Sequence, residues 1–357
     1  MQDNNRVRSA YYDVARIIAI LLVLLNHLPA YHLYASETGV AGVASTFLTI
    51  VIRINVPLFA MLSGALLLGR EEDVATVLRQ RVVRFLAVIL LASGLLYLEF
   101  GALRDRQLSI GEFVHGVVAG DLRDFTSYWF LYAYLGFLLM LPFLRRIARG
   151  MTRGEFLLLV MLMFVLHSGF QLLNFVLRLM DVPPLAFPHS MSVPLVTVVL
   201  LFYPLVGFYL DRRLDVMRVT RRQWALLAAL AVACSSVTMM VVRGEGHLFG
   251  YSQGYVNLFN FVNVIIVFLA IKRLFGRRFV AAHPVLTTRL GMVSKLVFGI
   301  YLFDPYLKLV LYEPMYAALH PAIGSFWYSV VWCVVSFCVC GLITYVLRLF
   351  AFVRRLL

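Results

Sequence analysis

Arg16 and His27 bracket one of the most apolar stretches of the chain, RIIAILLVLLNH. The step between them corresponds to about 3.06 helical turns, so on a helix both side chains fall within about 20° of one face, separated by a rise of about 16.5 Å. A guanidinium is a permanent cation that holds anions, and imidazole takes up and returns a proton near neutral pH. One stripe would therefore carry an anion-binding group at one end and a general base at the other. Asp13, three residues before Arg16, is close enough to orient it, and Asn26 gives His27 a polar neighbour. Each residue also has an ordinary reading, Arg16 as a snorkelling interface residue and His27 as a hydrogen bond between helices.

Further polar groups lie where they are costly. Arg53 sits ten residues into the second apolar run, 43–68, in the stretch TIVIRINVPLFAMLSGALLLG, followed by Asn55, Pro57, Ser63 and Gly64. A charge at that depth costs several kcal/mol unless it is paired or hydrated, and Pro57 frees backbone carbonyls that protein or water must satisfy. Asp304, in SKLVFGIYLFDPYLKLV, is an acid at a depth comparable with His27. It would accept an imidazole N–H, pair with Arg53, or pair with Lys308 one turn away. Arg81 and Arg84, in RQRVVRF, are one turn apart and would clamp phosphates, although topology alone also places arginines there. Trp129 and Tyr132 belong to an aromatic group whose first reading is an interfacial belt. Asn257, Asn260 and Asn263 share one helical sector, and His167 lies at a similar depth; together they point to a shared pocket, although helix packing explains any one of them.

The elements that must position these groups follow from composition. The 357 residues are 62% hydrophobic and 14% charged, against about half and a quarter in soluble domains. The fold expected is all-α, a polytopic membrane helical bundle. Ten apolar runs are long enough to span, near 12–34, 43–68, 83–100, 126–144, 155–177, 193–210, 224–242, 255–274, 291–311 and 323–347. The segment after Gly101 is too polar to span. With the amino terminus cytoplasmic, 25 of the 32 Lys and Arg residues fall on the cytoplasmic side, six fall opposite, and Arg53 lies inside a run. This bias predicts about ten transmembrane helices with both termini cytoplasmic. The same clustering explains the net charge of +14 without nucleic acid as a partner. A cleaved signal peptide is the competing reading of the first run, disfavoured by its length and by Asn26, His27 and Pro29. The four cysteines lie in apolar runs without metal-ligand spacing, and no metal is expected.

These motifs, in this order, resemble membrane acyltransferase family 3. The first-helix pattern of that family, a basic residue and His separated by ten residues, is matched by Arg16 and His27, with Asp13 as the preceding acid. Its second-helix pattern is matched by Arg53, Val56, Pro57, Leu58, Phe59, Ser63 and Gly64, and its Arg-x-x-Arg by Arg81 and Arg84. WFLYAYLG and FGIYLFDP resemble two further segments, although Asp304 stands where the family often has His. The resemblance covers most of the length. It implies a single transmembrane acyltransferase domain over residues 1–357, with no fused extracytoplasmic domain. It also implies O-acyl transfer from cytoplasmic acyl-CoA, acetyl-CoA by default and succinyl as the alternative, to a sugar hydroxyl of a cell-surface or exported polysaccharide, at the cytoplasmic (inner) membrane.

With acyl-CoA as co-substrate, Arg16, Arg81 and Arg84 would hold its phosphates. His27 would be the general base, Arg53 would stabilise the oxyanion, and Asp304 would set the His27 tautomer. Asn26, Trp129, Tyr132, Asn257 and Asn260 would line the path of a glycan or lipid-linked sugar acceptor. Direct transfer and an acyl-imidazole intermediate are both open. Membrane lipids and the polysaccharide synthesis machinery are the expected partners. The main alternative is a transporter or flippase for a lipid-linked sugar or small anion; another is a non-catalytic partner of a synthase.

Overall fold

The computed structural model describes residues 10–28, 39–104, 109–120, 128–186, 193–244 and 259–356, and no strand occurs among them. In chain order the longer helices are α1 (Ala10–Asn26), α2 (Gly39–Ile52), α3 (Asn55–Leu67), α4 (Val83–Arg104), α5 (Ile110–Ala119), α6 (Trp129–Gly150), α7 (Arg153–Met163), α8 (Phe170–Leu179), α9 (Val199–Arg213), α10 (Arg221–Gly244), α11 (Asn260–Leu274), α12 (Pro284–Ser294), α13 (Val297–Leu307) and α14 (Glu313–Leu347). Among the described residues, six segments are long and apolar enough to cross a membrane: Gly42–Leu67, Val74–Leu98, Trp129–Gly150, Arg153–Leu179, Arg221–Arg243 and Val297–Leu347. The most apolar window of the first is 72% buried, whereas those of the other five are 22–33% buried. Gly42–Leu67 is therefore surrounded by protein. The others expose faces such as Leu91, Leu95 and Leu98, or Leu226 and Leu230, and apolar surface on that scale suits hydrocarbon better than water.

Several apolar runs differ from the helices that form. The run at 43–68 is broken at residues 53–54. The run at 83–100 is entered earlier, through a π-helical turn at Val77–Val82, whose Arg79, Gln80 and Arg81 hide it from an apolar-run reading. Residues 291–311 are not one helix: α12 stops at Ser294 and α13 starts at Val297. The run at 155–177 contains a second π-helical turn, Phe164–Gly169.

The chain divides into two compact units, Met1–Gly69 with Ile147–Lys295, and Arg70–Arg146 with Leu296–Leu357. The core of the first is the pair α3 and α9. Both are apolar around nearly their whole circumference, and Leu58, Met61, Phe202, Tyr203 and Val206 are buried. Their backbones touch. A Cβ on Gly64 would stand 1.9 Å from Pro204 O, and one on Gly207 would stand 2.1 Å from Met61 O. Only a residue without a side chain permits that approach, the usual device of close-packed membrane helices.

Helix α1 packs against α2, α3, α11 and α12. Its first turn is anchored by polar groups: the Tyr11 and Tyr12 hydroxyls donate to the Asp211 carboxylate, Tyr12 at 3.0 Å. Lys272 lies 3.7 Å from the same carboxylate. Its ammonium also donates to Leu210 O at 3.0 Å, Asp211 O at 2.7 Å and Leu214 O at 3.1 Å. It thereby caps the carboxyl end of α9, where carbonyls lack intrahelical donors.

In the second unit α13 packs on α14, with Gly299 so close to Thr344 that a Cβ would stand 2.3 Å from its side chain. Tyrosine hydroxyls satisfy backbone carbonyls across helices: Tyr128 to Leu302 O at 2.6 Å and Tyr306 to Ala92 O at 2.6 Å. Helix α14 is kinked at Gly324, whose φ of +75° suits a glycine. Helix α5 begins with a Ser109–Glu112 capping box and ends at Gly120 in the left-handed region. It is shorter than a span needs, and Ile110, Val114 and Val118 form an exposed apolar stripe along it.

Candidate functional site

In the first unit α1, the helices on either side of the α2–α3 break, and α11 pack together, and the first residue of α11 bonds to the backbone of Arg53 at the break. The break has a covalent cause. Pro57 has no N–H, so the carbonyl four residues back, that of Arg53, loses its intrahelical donor. Asn260 Nδ2 donates to that carbonyl at 3.0 Å. Arg53 N and Ile54 N turn back by three residues, to Ile50 O at 3.3 Å and Val51 O at 3.2 Å, which tightens the chain before α3 begins. The Arg53 side chain thus leaves from a discontinuity in a helix otherwise enclosed by protein.

Asn55 fixes the break against α1. Its Nδ2 donates to Leu22 O at 3.4 Å, its Oδ1 accepts from Val56 N at 2.6 Å, and the residue is fully buried. Counted from that contact along antiparallel neighbours, Arg53 lies within about 5 Å of the level of His27. His27 follows the last residue of α1, half-buried, and its backbone N donates to Val23 O at 3.0 Å. At the other end of the stripe Arg16 lies 3.7 Å from the buried Asp13 carboxylate and donates to Ser294 Oγ at 3.4 Å. Asn26 is half-buried beside His27. Asn263 donates to Ser235 Oγ at 3.0 Å, a packing contact between α10 and α11. His167 lies half-buried in the second π-helical turn, and Asn257 lies outside the described residues.

The Asn260 contact makes a paired prediction. Asn260→Ala should destabilise the protein by about 1–3 kcal/mol, because it removes the donor to a part-buried carbonyl. Pro57→Ala supplies a backbone N–H to the same carbonyl, so the double variant should lose less than the sum of the two single losses. Additive losses in denaturation midpoints would refute this account of the break.

The second unit holds the remaining residues. Arg81 forms a two-pronged pair with Glu72, Nε to Oε2 at 2.9 Å and Nη2 to Oε1 at 2.5 Å. Arg145 joins from α6, with Nη2 on Glu72 Oε2 at 2.9 Å and Nη1 on Glu72 O at 3.2 Å. Arg70 lies 3.7 Å from Oε1. Arg84 donates to Leu356 O at 3.1 Å. Asp304 is fully buried and accepts from Ser336 Oγ at 2.6 Å. Tyr132 donates to Val117 O at 2.9 Å and so ties α6 to α5. Trp129 is 39% exposed and packs edge-on against Phe130.

Glu72 and Arg145 escape a motif reading. Glu72 sits in GREED, which looks like an ordinary solvated loop, and Arg145 sits among the basic residues that topology alone explains. The hydrogen bond from Arg81 holds the Glu72 carboxyl down at about 2; partial burial opposes this and Arg145 reinforces it. A carboxylate depressed in the folded state stabilises fully above its unfolded value, about 4.5, and loses that contribution as pH falls toward 2. Acidification through this window should remove about 1–2 kcal/mol from the wild type, less than the full linkage value because water reaches the pair. Glu72→Gln should flatten that part of the stability profile. An identical acid slope in both proteins would exclude Glu72 as its source.

A family model described as an acyltransferase domain matches residues 9–345. The chain belongs to the acyltransferase 3 family. No curated protein and no solved structure matches it. As a member of this family with helices fit to cross a bilayer, the chain is an integral membrane acyltransferase. The match takes in every site residue named above.

Proposed function

We propose that this acyltransferase 3 protein moves an acyl group, acetyl by default, from cytoplasmic acyl-CoA to a sugar hydroxyl of a cell-surface or exported polysaccharide. In this reading it spans the cytoplasmic membrane about ten times, with both termini in the cytoplasm. The observation that carries the proposal is that α11 and α1 both bond to the α2–α3 break from which Arg53 leaves, Asn260 to the Arg53 carbonyl and Leu22 O, five residues before His27, to Asn55. A base and a cation within reach of one another inside a helix bundle are what transfer between an activated thioester and a hydroxyl requires, and the count along the helices supports that reading.

The balance is simple. His27 takes the proton from the acceptor hydroxyl as its oxygen attacks the thioester carbonyl. Arg53 stabilises the negative charge that develops on the carbonyl oxygen. Collapse breaks the C–S bond, and the proton passes to the departing thiolate, leaving an ester and CoA. Arg16, positioned by Asp13 and Ser294, is the cation at the cytoplasmic end of the same stripe. Arg81 and Arg84 are phosphate-binding groups on the other unit. Asn260 acts here through the backbone of Arg53, and Asn26 is the polar neighbour of His27 facing the acceptor.

Purified protein incubated with acetyl-CoA and surface glycan should release free CoA thiol and add one acyl mass increment to the sugar. Glycans from cells lacking the protein should lack that increment. CoA release without a mass increment would point to a different acceptor class. Neither signal, with the lipid-linked glycan translocated, would favour the transporter.

A further inference from the structure

We propose that Glu72 occupies a phosphate-binding site built from Arg70, Arg81 and Arg145, and that a phosphate group displaces it on binding. The inference rests on the reading of Arg81 as a phosphate ligand and adds Arg145 and Arg70 to the site, with Glu72 as its resident competitor.

Four observations carry it. First, three guanidinium groups surround one carboxylate. A lone ion pair needs one, and planar guanidinium forks fit a phosphate as well as a carboxylate. The flanking acids, Glu71 and Asp73, are exposed. Second, Arg145 is anchored twice. Its side chain is 5% exposed, and Nη1 holds the Glu72 carbonyl while Nη2 holds the carboxylate. When the carboxylate leaves, the backbone contact still aims the guanidinium. Third, residues 70–73 belong to no helix, so the Glu72 side chain can swing out without unwinding one. Fourth, Arg81 lies on the π-helical turn Val77–Val82. Such a turn inserts a residue and re-aims the side chains that follow, and it recurs at functional sites.

The ligand chemistry is an anionic phosphate ester. It can be the monoester and diphosphate of an acyl-CoA nucleotide or the phosphodiester of an anionic phospholipid headgroup, and the same experiment separates them. The protein is placed in nanodiscs of phosphatidylcholine and titrated with CoA, with phosphate-free pantetheine as control. Glu72→Gln keeps the size and one acceptor oxygen but removes the competing charge. It should bind CoA about tenfold more tightly than wild type, with pantetheine unchanged. Arg145→Lys, which keeps charge and loses the fork, should bind CoA about tenfold more weakly.

If Glu72→Gln fails to fold, Glu72→Asp, one methylene shorter, should still tighten CoA binding about threefold. The same variants are then placed in discs containing phosphatidylglycerol, with retained lipid weighed by native mass spectrometry. Retention of extra phosphatidylglycerol by the Glu72 variant, with CoA affinity unmoved, assigns the site to a headgroup. CoA affinity and lipid retention both unchanged or lowered in the Glu72 variants would overturn the proposal and leave an ion cluster that only holds the loop. Because no acceptor is present, loss of acyl transfer elsewhere does not alter this result, and tighter CoA binding does not by itself establish transfer.

Discussion

Replacing His27 with alanine should lower acyl transfer by about a thousandfold, within the range for loss of a general base, with CoA binding and folding intact. The expectation of an intact fold has a structural basis. His27 follows the last residue of α1, and the backbone N–H that it donates to Val23 O is retained by alanine. The half-buried ring leaves no sealed cavity when removed. His27→Gln separates chemistry from packing: it keeps a polar side chain of similar reach but cannot take up a proton at neutral pH. It should be as inactive as alanine. Initial rates at saturating acetyl-CoA, with CoA affinity measured in parallel, decide the matter. Wild-type turnover in the alanine variant would end the general-base assignment, and recovery by Gln alone would reduce His27 to a packing role.

The second large effect belongs to Arg53. Arg53→Ala should lower kcat by about 10²–10³-fold, the range for loss of an oxyanion donor in a water-poor site. Arg53→Lys should recover part of it, because the charge returns without the fork. The break itself should survive both changes, since Asn260 binds the backbone carbonyl of residue 53 and not its side chain. Unfolding midpoints close to wild type, together with the fall in kcat, would support a catalytic role. A rise in KM alone, with kcat preserved, would show that Arg53 acts only in ground-state binding.

Much of this arrangement was legible before any coordinates, and for physical reasons. The stripe on α1 follows from helical periodicity, and its ends are set by Arg16 and His27; Asp13 lies beside Arg16 as a three-residue spacing requires. Pro57 announced an orphaned carbonyl four residues back, and the structure names its donor. What periodicity does not encode is pairing between distant segments. Nothing near Glu72 marks it as the partner of Arg145, seventy-three residues away. Asn263 and Asn260 share a sector, yet one meets a serine on α10 and the other a backbone carbonyl at the break; their side chains read alike in sequence. The π-helical turns were invisible because a π turn changes the count of residues per turn without changing their type.

The contact of Gly64 with Pro204 and of Gly207 with Met61 has a mechanical meaning. With main chain resting on main chain, α3 and α9 cannot slide past or roll over one another without collision, so they behave as a single stiff strut. One end of that strut stands directly below Arg53. In the acyl transfer proposed above, passage of a bulky sugar or a pantetheine arm would therefore be accommodated by yielding elsewhere in that unit, while the guanidinium would keep a fixed footing from one turnover to the next.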